Sequence, residues 1–289
     1  MSHCRATLLA DRGVLRVTGA DAHKLLQGVI TNNLDKAQGG AAIHAGLLSP
    51  QGKILFDFFV AADGDGFLIE AAKDRLAELA KRLGIYRLRA QVEIAEAPEF
   101  TVAAAWGGAP NIPEGAIAFA DPRLAELGVR ILLPAGASVA DLGCAQAGEA
   151  DYHALRIKLG VPESGRDYGL GDTFPHEALF DQLNGVDFKK GCFVGQEVVA
   201  RMQHRGTTRT RVVPVEGDAP LTTGVEVKAG ELPIGPIGSV DGAVGLALLR
   251  LDRAEEAASK GTPLTAGDVT ITLHRPAFAQ FDVPAALPA

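Results

Sequence analysis

The stretch KKGCFVGQE, residues 189–197, places a cysteine between a glycine and an aromatic, after two lysines and that glycine and five residues ahead of an acid. A structural cysteine normally sits in an unbroken apolar run. Here the glycine permits close approach of another backbone, and flanking cations favour the ionised thiol. The pattern predicts a reactive thiol at Cys192, with Lys190 as the cation that activates it. Between Gly185 and Arg211, Lys189, Lys190, Arg201, Arg205, Arg209 and Arg211 are set against only Asp187 and Glu197. Such an excess can dock an anion, and it reads equally well as a solvated face. Asp57 is a lone acid on an apolar run; burial without a partner is costly, so it either lines a channel or faces solvent at an edge.

The elements that position these residues are mixed. DAHKLLQG (21–28) reads as a short helix capped by Asp21 and ended by Gly28. KILFDFFVAA (53–62), the turn DGDG and FLIEA read as a hairpin. DRLAELAKRLG (74–84) has leucines at 76, 79 and 83, a capping Asp74 and a terminal Gly84, which predicts a helix. YRLRAQVEIAEA (86–97) alternates as a half-exposed strand, and TVAAAWGG and VRILLP continue the pattern, so residues from about 40 to 135 are expected to form one α+β unit on an antiparallel sheet. After YHALRIKLG, residues 151–205 show no long periodic element. From Thr207 the short strands TRVVPV, GVEVKAG, GSVDGAVGLALLRL and VTITLHRP predict a small all-β barrel.

Composition narrows the class. With 289 residues, 47% hydrophobic and 22% charged, the chain is an ordinary globular protein of two or three domains. A net charge of −7 and 6% aromatics argue against direct nucleic-acid binding. No apolar stretch approaches the ~18 residues a membrane helix needs, so a cytoplasmic protein without a membrane partner is expected. Cys4, Cys144 and Cys192 are odd in number and widely spaced, which argues against a disulfide framework and offers no metal pattern.

KGCFVGQEVVARMQHRG resembles the signature of the YgfZ family, folate-binding proteins that assist iron–sulfur enzymes and are related to the glycine-cleavage T-protein. Three further blocks resemble the family in order: DAHKLLQGVITNNL with LLSPQGKILFDFFV, then ALRIKLGVPESGRDYGLGDTFPHEALFD, then GSVDGAVGLALLR. The resemblance implies an α+β, three-lobed, folate-binding aminomethyltransferase-like fold around a central channel, with a C-terminal all-β barrel. Residues 1–206 would form the folate-binding region and 207–289 the barrel.

The implied ligand is tetrahydrofolate or a related reduced folate. A pterin presents adjacent N–H donors that a carboxylate accepts as a pair, and its glutamate tail is anionic. The resemblance assigns Glu177 to the pterin, Asp57 to the channel, Arg156 to the superfamily's arginine helix, and Glu197, Arg201 and Arg205 to the surroundings of the ligand, the arginines toward its tail. Phe56-Asp57 stands where catalytic T-proteins carry two consecutive aspartates. Losing one acid weakens the transferase reading and favours an accessory factor in iron–sulfur protein maturation or repair, whose partners are iron–sulfur enzymes or cluster-assembly proteins. Any effect on tRNA modification would then be indirect, through an iron–sulfur tRNA-modifying enzyme. The alternative is a folate-dependent one-carbon transferase with Cys192 as nucleophile.

Overall fold

The computed structural model describes residues 4–206 and 208–284. Position 207, where the barrel was expected to begin, lies outside the described residues. The chain opens with β1 (Arg5–Leu8), β2 (Arg12–Thr18) and α1 (Ala22–Val29). Strands β3 (Ala42–Leu48), β4 (Ile54–Asp63) and β5 (Gly66–Ala72) follow, then α2 (Leu76–Arg87) and β6 (Glu93–Glu96). Next come β7 (Phe100–Trp106), β8 (Ile117–Ala120), β9 (Val129–Pro134), β10 (Ala145–Gln146), α3 (Glu149–Leu159) and α4 (Gln196–Arg205). The last run is β11 (Thr210–Gly217), β12 (Glu226–Ala229), β13 (Leu232–Asp241), β14 (Val244–Arg250), α5 (Leu251–Ser259), β15 (Leu264–Ala266) and β16 (Val269–Leu273). Two compact units result: Met1–Tyr152 with Leu183–Gln196, and His153–Gln182 with Glu197–Ala289.

The first unit carries two five-stranded sheets, β3-β4-β5-β2-β6 and β10-β1-β7-β9-β8. The expected single sheet over residues 40–135 is therefore divided: β3 to β6 pair around β2, whereas β7 to β9 pair around β1. Sequence alternation sets each strand's face and leaves its partner open. On the first sheet, α1 buries Ala22, Leu25, Leu26 and Val29, an i, i+3, i+4, i+7 stripe, against Leu15, Val17, Phe58, Val60 and Ile69. The expected hairpin forms with Asp63 opposite Gly66. The expected helix forms too, but α2 passes through Gly84 to Arg87, and of the expected 86–97 strand only Glu93–Glu96 forms. Its leucines 76, 79 and 83 are buried, and nothing lies near a Cβ built on Gly84, so packing carries the helix past a residue that costs only about 1 kcal/mol there. The stop is Leu88, at φ +45.

On the second sheet, Cys4 and Cys144 are joined by a disulfide across a sequence separation of 140. This corrects the expectation, drawn from odd number and wide spacing, that argued against a disulfide framework. The parallel pairing of β1 with β10 sets Arg5 against Ala145 and so brings their neighbours together, a proximity that spacing along the chain cannot reveal.

In the second unit, β11-β14-β13-β12-β15-β16 close into a barrel around Val213, Val215, Val227, Ile237, Ala247, Leu249 and Ile271. Closure leaves no edge strand to pair elsewhere. The barrel is not purely β, because α5 adds Leu251 and Ala254 to its core. Helix α4 was also unforeseen. It buries only Val199, which leaves almost no apolar period to read.

Candidate functional site

Cys192 is exposed and is the free thiol among the described cysteines. The segment that bears it, residues 183–196, is fastened to the turn after α1. Thr31 Oγ1 donates to Gly185 O at 2.6 Å and accepts from Gly46 N at 2.8 Å. Asn32 Nδ2 donates to Asn184 O at 2.6 Å and to His44 O at 2.8 Å. Asp187 N donates to Thr31 O at 3.0 Å, while Asp187 Oδ1 caps the amides of Lys189 at 2.7 Å and Lys190 at 3.2 Å. Downstream, Gly195 sits at φ +80, and a Cβ there would lie 2.5 Å from Ser49 O, so only glycine fits. Phe193 N donates to Gln196 Oε1 at 2.9 Å at the head of α4.

Lys190 points back into this unit. Its Nζ donates to Gln27 O at 2.9 Å, Ile30 O at 2.6 Å and Asn32 O at 2.8 Å, and lies 5.4 Å from the Phe193 ring centroid. Burial pushes its pKa down to about 8, against the pull of Asp187 and Asp35. Neither Thr31 nor Asn32 was singled out from sequence. The signal available in the sequence was a polar pair just after the apolar stripe of α1, which the structure buries.

His44 holds the start of the same segment. It is buried, its Nδ1 lies 3.0 Å from Leu183 O, and burial together with Arg123 pushes its pKa down to about 4. The ring is neutral at pH 7, and Nδ1–H is the donor to that carbonyl. Behind it lies a buried network that sequence reasoning missed. Phe59 is flanked by the guanidinium groups of Arg123 at 5.0 Å and Arg130 at 5.2 Å. Arg123 forks onto Asp121 at 3.0 and 2.8 Å, Arg130 reaches Tyr152 Oη at 2.8 Å, and Arg12 reaches Glu70 at 2.7 Å. Burial works against ionised Asp121, yet Arg123 and Arg130 hold its carboxyl well below the usual range. Asp57 lies opposite Gly46 on β4, half-buried between buried Phe56 and Phe58, and acts on His44 electrostatically.

The remaining expected residues belong to the second unit. Glu177 is half-buried in a turn; its Oε2 accepts from Phe174 N at 2.7 Å, and its carbonyl accepts from Val212 N of β11 at 2.9 Å. Arg156 is buried in a brace within α3 and the barrel: Nη1 donates to Asp167 at 2.6 Å, Nε to His153 Nδ1 at 2.9 Å and Nη2 to Ser239 Oγ at 2.5 Å. On α4, Glu197 and Arg201 form an exposed i, i+4 pair at 2.9 Å, the kind that contributes a few tenths of a kcal/mol. Arg205 is exposed at the end of that helix.

By residue type the second unit carries a half-buried carboxylate at Glu177, engaged by Phe174 N, and exposed guanidinium groups at Arg201, paired with Glu197, and at Arg205.

The architecture defines the class. It matches the glycine cleavage system aminomethyltransferase T of Bartonella henselae with a TM-score of 0.77 over 96% of this chain and 87% of that one. At 18% identity the likeness is one of fold: an α+β aminomethyltransferase-like fold with a C-terminal closed barrel. Residues 209–281 match the C-terminal β-barrel domain of CAF17.

The human iron–sulfur cluster assembly factor IBA57 is 35% identical over 280 residues, 83% of this chain and 76% of that protein; the mouse protein is 34% identical over 84% and 76%. The chain belongs to the IBA57 family. It spans only 55% of the Neurospora crassa homologue, to which it is 34% identical. These relatives are IBA57 factors and not specifically YgfZ, which moves the resemblance read from the sequence to a neighbouring family.

All three are named as mitochondrial, and this overturns the cytoplasmic expectation. Among the described residues no helix is long and apolar enough to cross a membrane. That property does not separate cytoplasm from an organelle interior, so it could not carry the expectation.

Proposed function

We propose that this chain is a tetrahydrofolate-binding accessory factor for the maturation or repair of iron–sulfur enzymes, with Cys192 as its working thiol. The observation that carries the reading is an exposed thiol on a segment fastened upstream by hydrogen bonds from Thr31 and Asn32 and seated downstream at Gly195 against Ser49 O, in a chain of the IBA57 family. An exposed, untethered cysteine needs no such anchoring. The aminomethyltransferase-like fold supports folate as the ligand. Within the second unit, Glu177 is the acceptor for the pterin N–H donors, Arg201 and Arg205 meet the anionic tail, and Arg156 braces the loop of Val161 and Asp167 that precedes Glu177. Bound folate would supply a reduced pterin able to carry a one-carbon unit. Phe56 supports the accessory role over a transferase, because its ring is buried in the core of the first unit where a second acid would be needed.

Calorimetric titration with tetrahydrofolate tests the ligand. Micromolar binding, about −8 kcal/mol, is expected, and Glu177→Gln should weaken it by roughly 1.5–3 kcal/mol by replacing a charge-assisted pair with a neutral contact. Absence of heat with any reduced folate would remove folate from the reading. Complementation tests the thiol. Cys192→Ser should fold normally and bind folate, yet fail to restore iron–sulfur enzyme activity in cells lacking the protein, because serine supplies neither a thiolate ligand nor a redox partner. Full restoration by the serine variant would sink the thiol's role.

A further inference from the structure

Lys190, read from the sequence as the cation that activates Cys192, is held by main-chain carbonyls. An ammonium carries three N–H groups in a pyramid, and Lys190 Nζ meets three carbonyl oxygens, those of Gln27, Ile30 and Asn32, at 2.9, 2.6 and 2.8 Å. Gln27 O belongs to the last turn of α1, where helical carbonyls lack intrahelical donors and carry the negative end of the helix dipole, and the other two oxygens belong to the chain just beyond it. Two fixed points flank the lysine in sequence: the Asp187 turn that caps its amide, and Gly195, seated against Ser49 O. Cys192 lies between them.

We propose that Lys190 is a positioning residue that fastens the cysteine segment to the end of α1 through this cage of carbonyls. The inference rests on the reading of Cys192 as the working thiol. Its physical content is one of shape. A pyramidal ammonium on a flexible stem satisfies three convergent oxygens, whereas a planar guanidinium keeps the charge but spreads its donors in a fork that cannot converge on them. If charge beside the thiol were what mattered, arginine would serve; if the cage matters, arginine fails as methionine does.

Hydrogen exchange measured by mass spectrometry on Lys190→Arg and Lys190→Met separates the two. Both variants should exchange at least tenfold faster than wild type over residues 26–33 and 185–195, with the barrel strands unchanged, and both should support iron–sulfur enzymes in cells equally poorly. Wild-type protection in the arginine variant would overturn the inference. The wild-type protein offers a test that does not depend on a variant folding: the Lys190 ammonium protons, observed by nitrogen-15 NMR, should exchange with water at least tenfold more slowly than those of exposed Lys24. Equal rates would also overturn it. Full complementation by Cys192→Ser would remove the thiol's role and leave the cage standing, so the two failures are distinguishable.

Discussion

His44 lies within electrostatic reach of Asp57, and burial decides which form of its ring the folded chain holds. His44 is buried among Phe59, Arg123 and Asp121, and its neutral ring donates to Leu183 O. Its pKa falls to about 4 in the folded chain, from an ordinary value of 6.5, so between those values the unfolded chain binds the proton more readily. The stability His44 contributes is therefore fully present above about pH 6.5 and is lost as pH falls toward 4, by at most about 3 kcal/mol. Denaturant unfolding at pH 7 and pH 4.5 should show a steeper loss for wild type than for His44→Gln, which keeps a donor but does not titrate. Parallel losses would contradict the neutral, buried assignment. Because His44 anchors the start of the cysteine segment, acid should loosen that segment before the barrel unfolds.

At the scale of elements, the informative feature is how α2 ends. Arg87 O accepts from Ala90 N at 2.7 Å, which closes a tight turn with Leu88 at its first corner, at φ +45 and 89% exposed. That corner favours glycine, and a leucine there carries backbone strain of order 1–3 kcal/mol with almost no burial to offset it. Leu88→Gly should raise stability in urea by about 1 kcal/mol, after the extra backbone entropy of glycine in the unfolded chain is subtracted. A loss of stability would mean that the leucine side chain makes contacts the fold depends on. The barrel and the α1 stripe, by contrast, form where their apolar periods say they should, since each buried aliphatic contributes roughly 1.5–3 kcal/mol in one orientation only.

At the scale of the whole molecule, the amino-acid sequence by itself determined the α+β class, the C-terminal barrel, the hairpin of β4 and β5, and the standing of Cys192 as an exposed thiol in a basic segment. These are local properties: period, turn chemistry and composition over a few residues. It also narrowed the family to the right neighbourhood, because motif order survives where overall identity is low. What only the tertiary structure decided are partnerships between distant residues. The strands of residues 40–135 split between two sheets, and Cys4 met Cys144 across 140 positions. Lys190 met carbonyls some 160 residues earlier. The arginines around Phe59, scattered as polar residues among apolar strands, became a buried network. A chain encodes which face a side chain takes through its immediate neighbours, but which donor meets which acceptor depends on loop closure and packing over the whole unit. Hydrogen bonds act over about 3 Å, and distance along the sequence does not report distance in space.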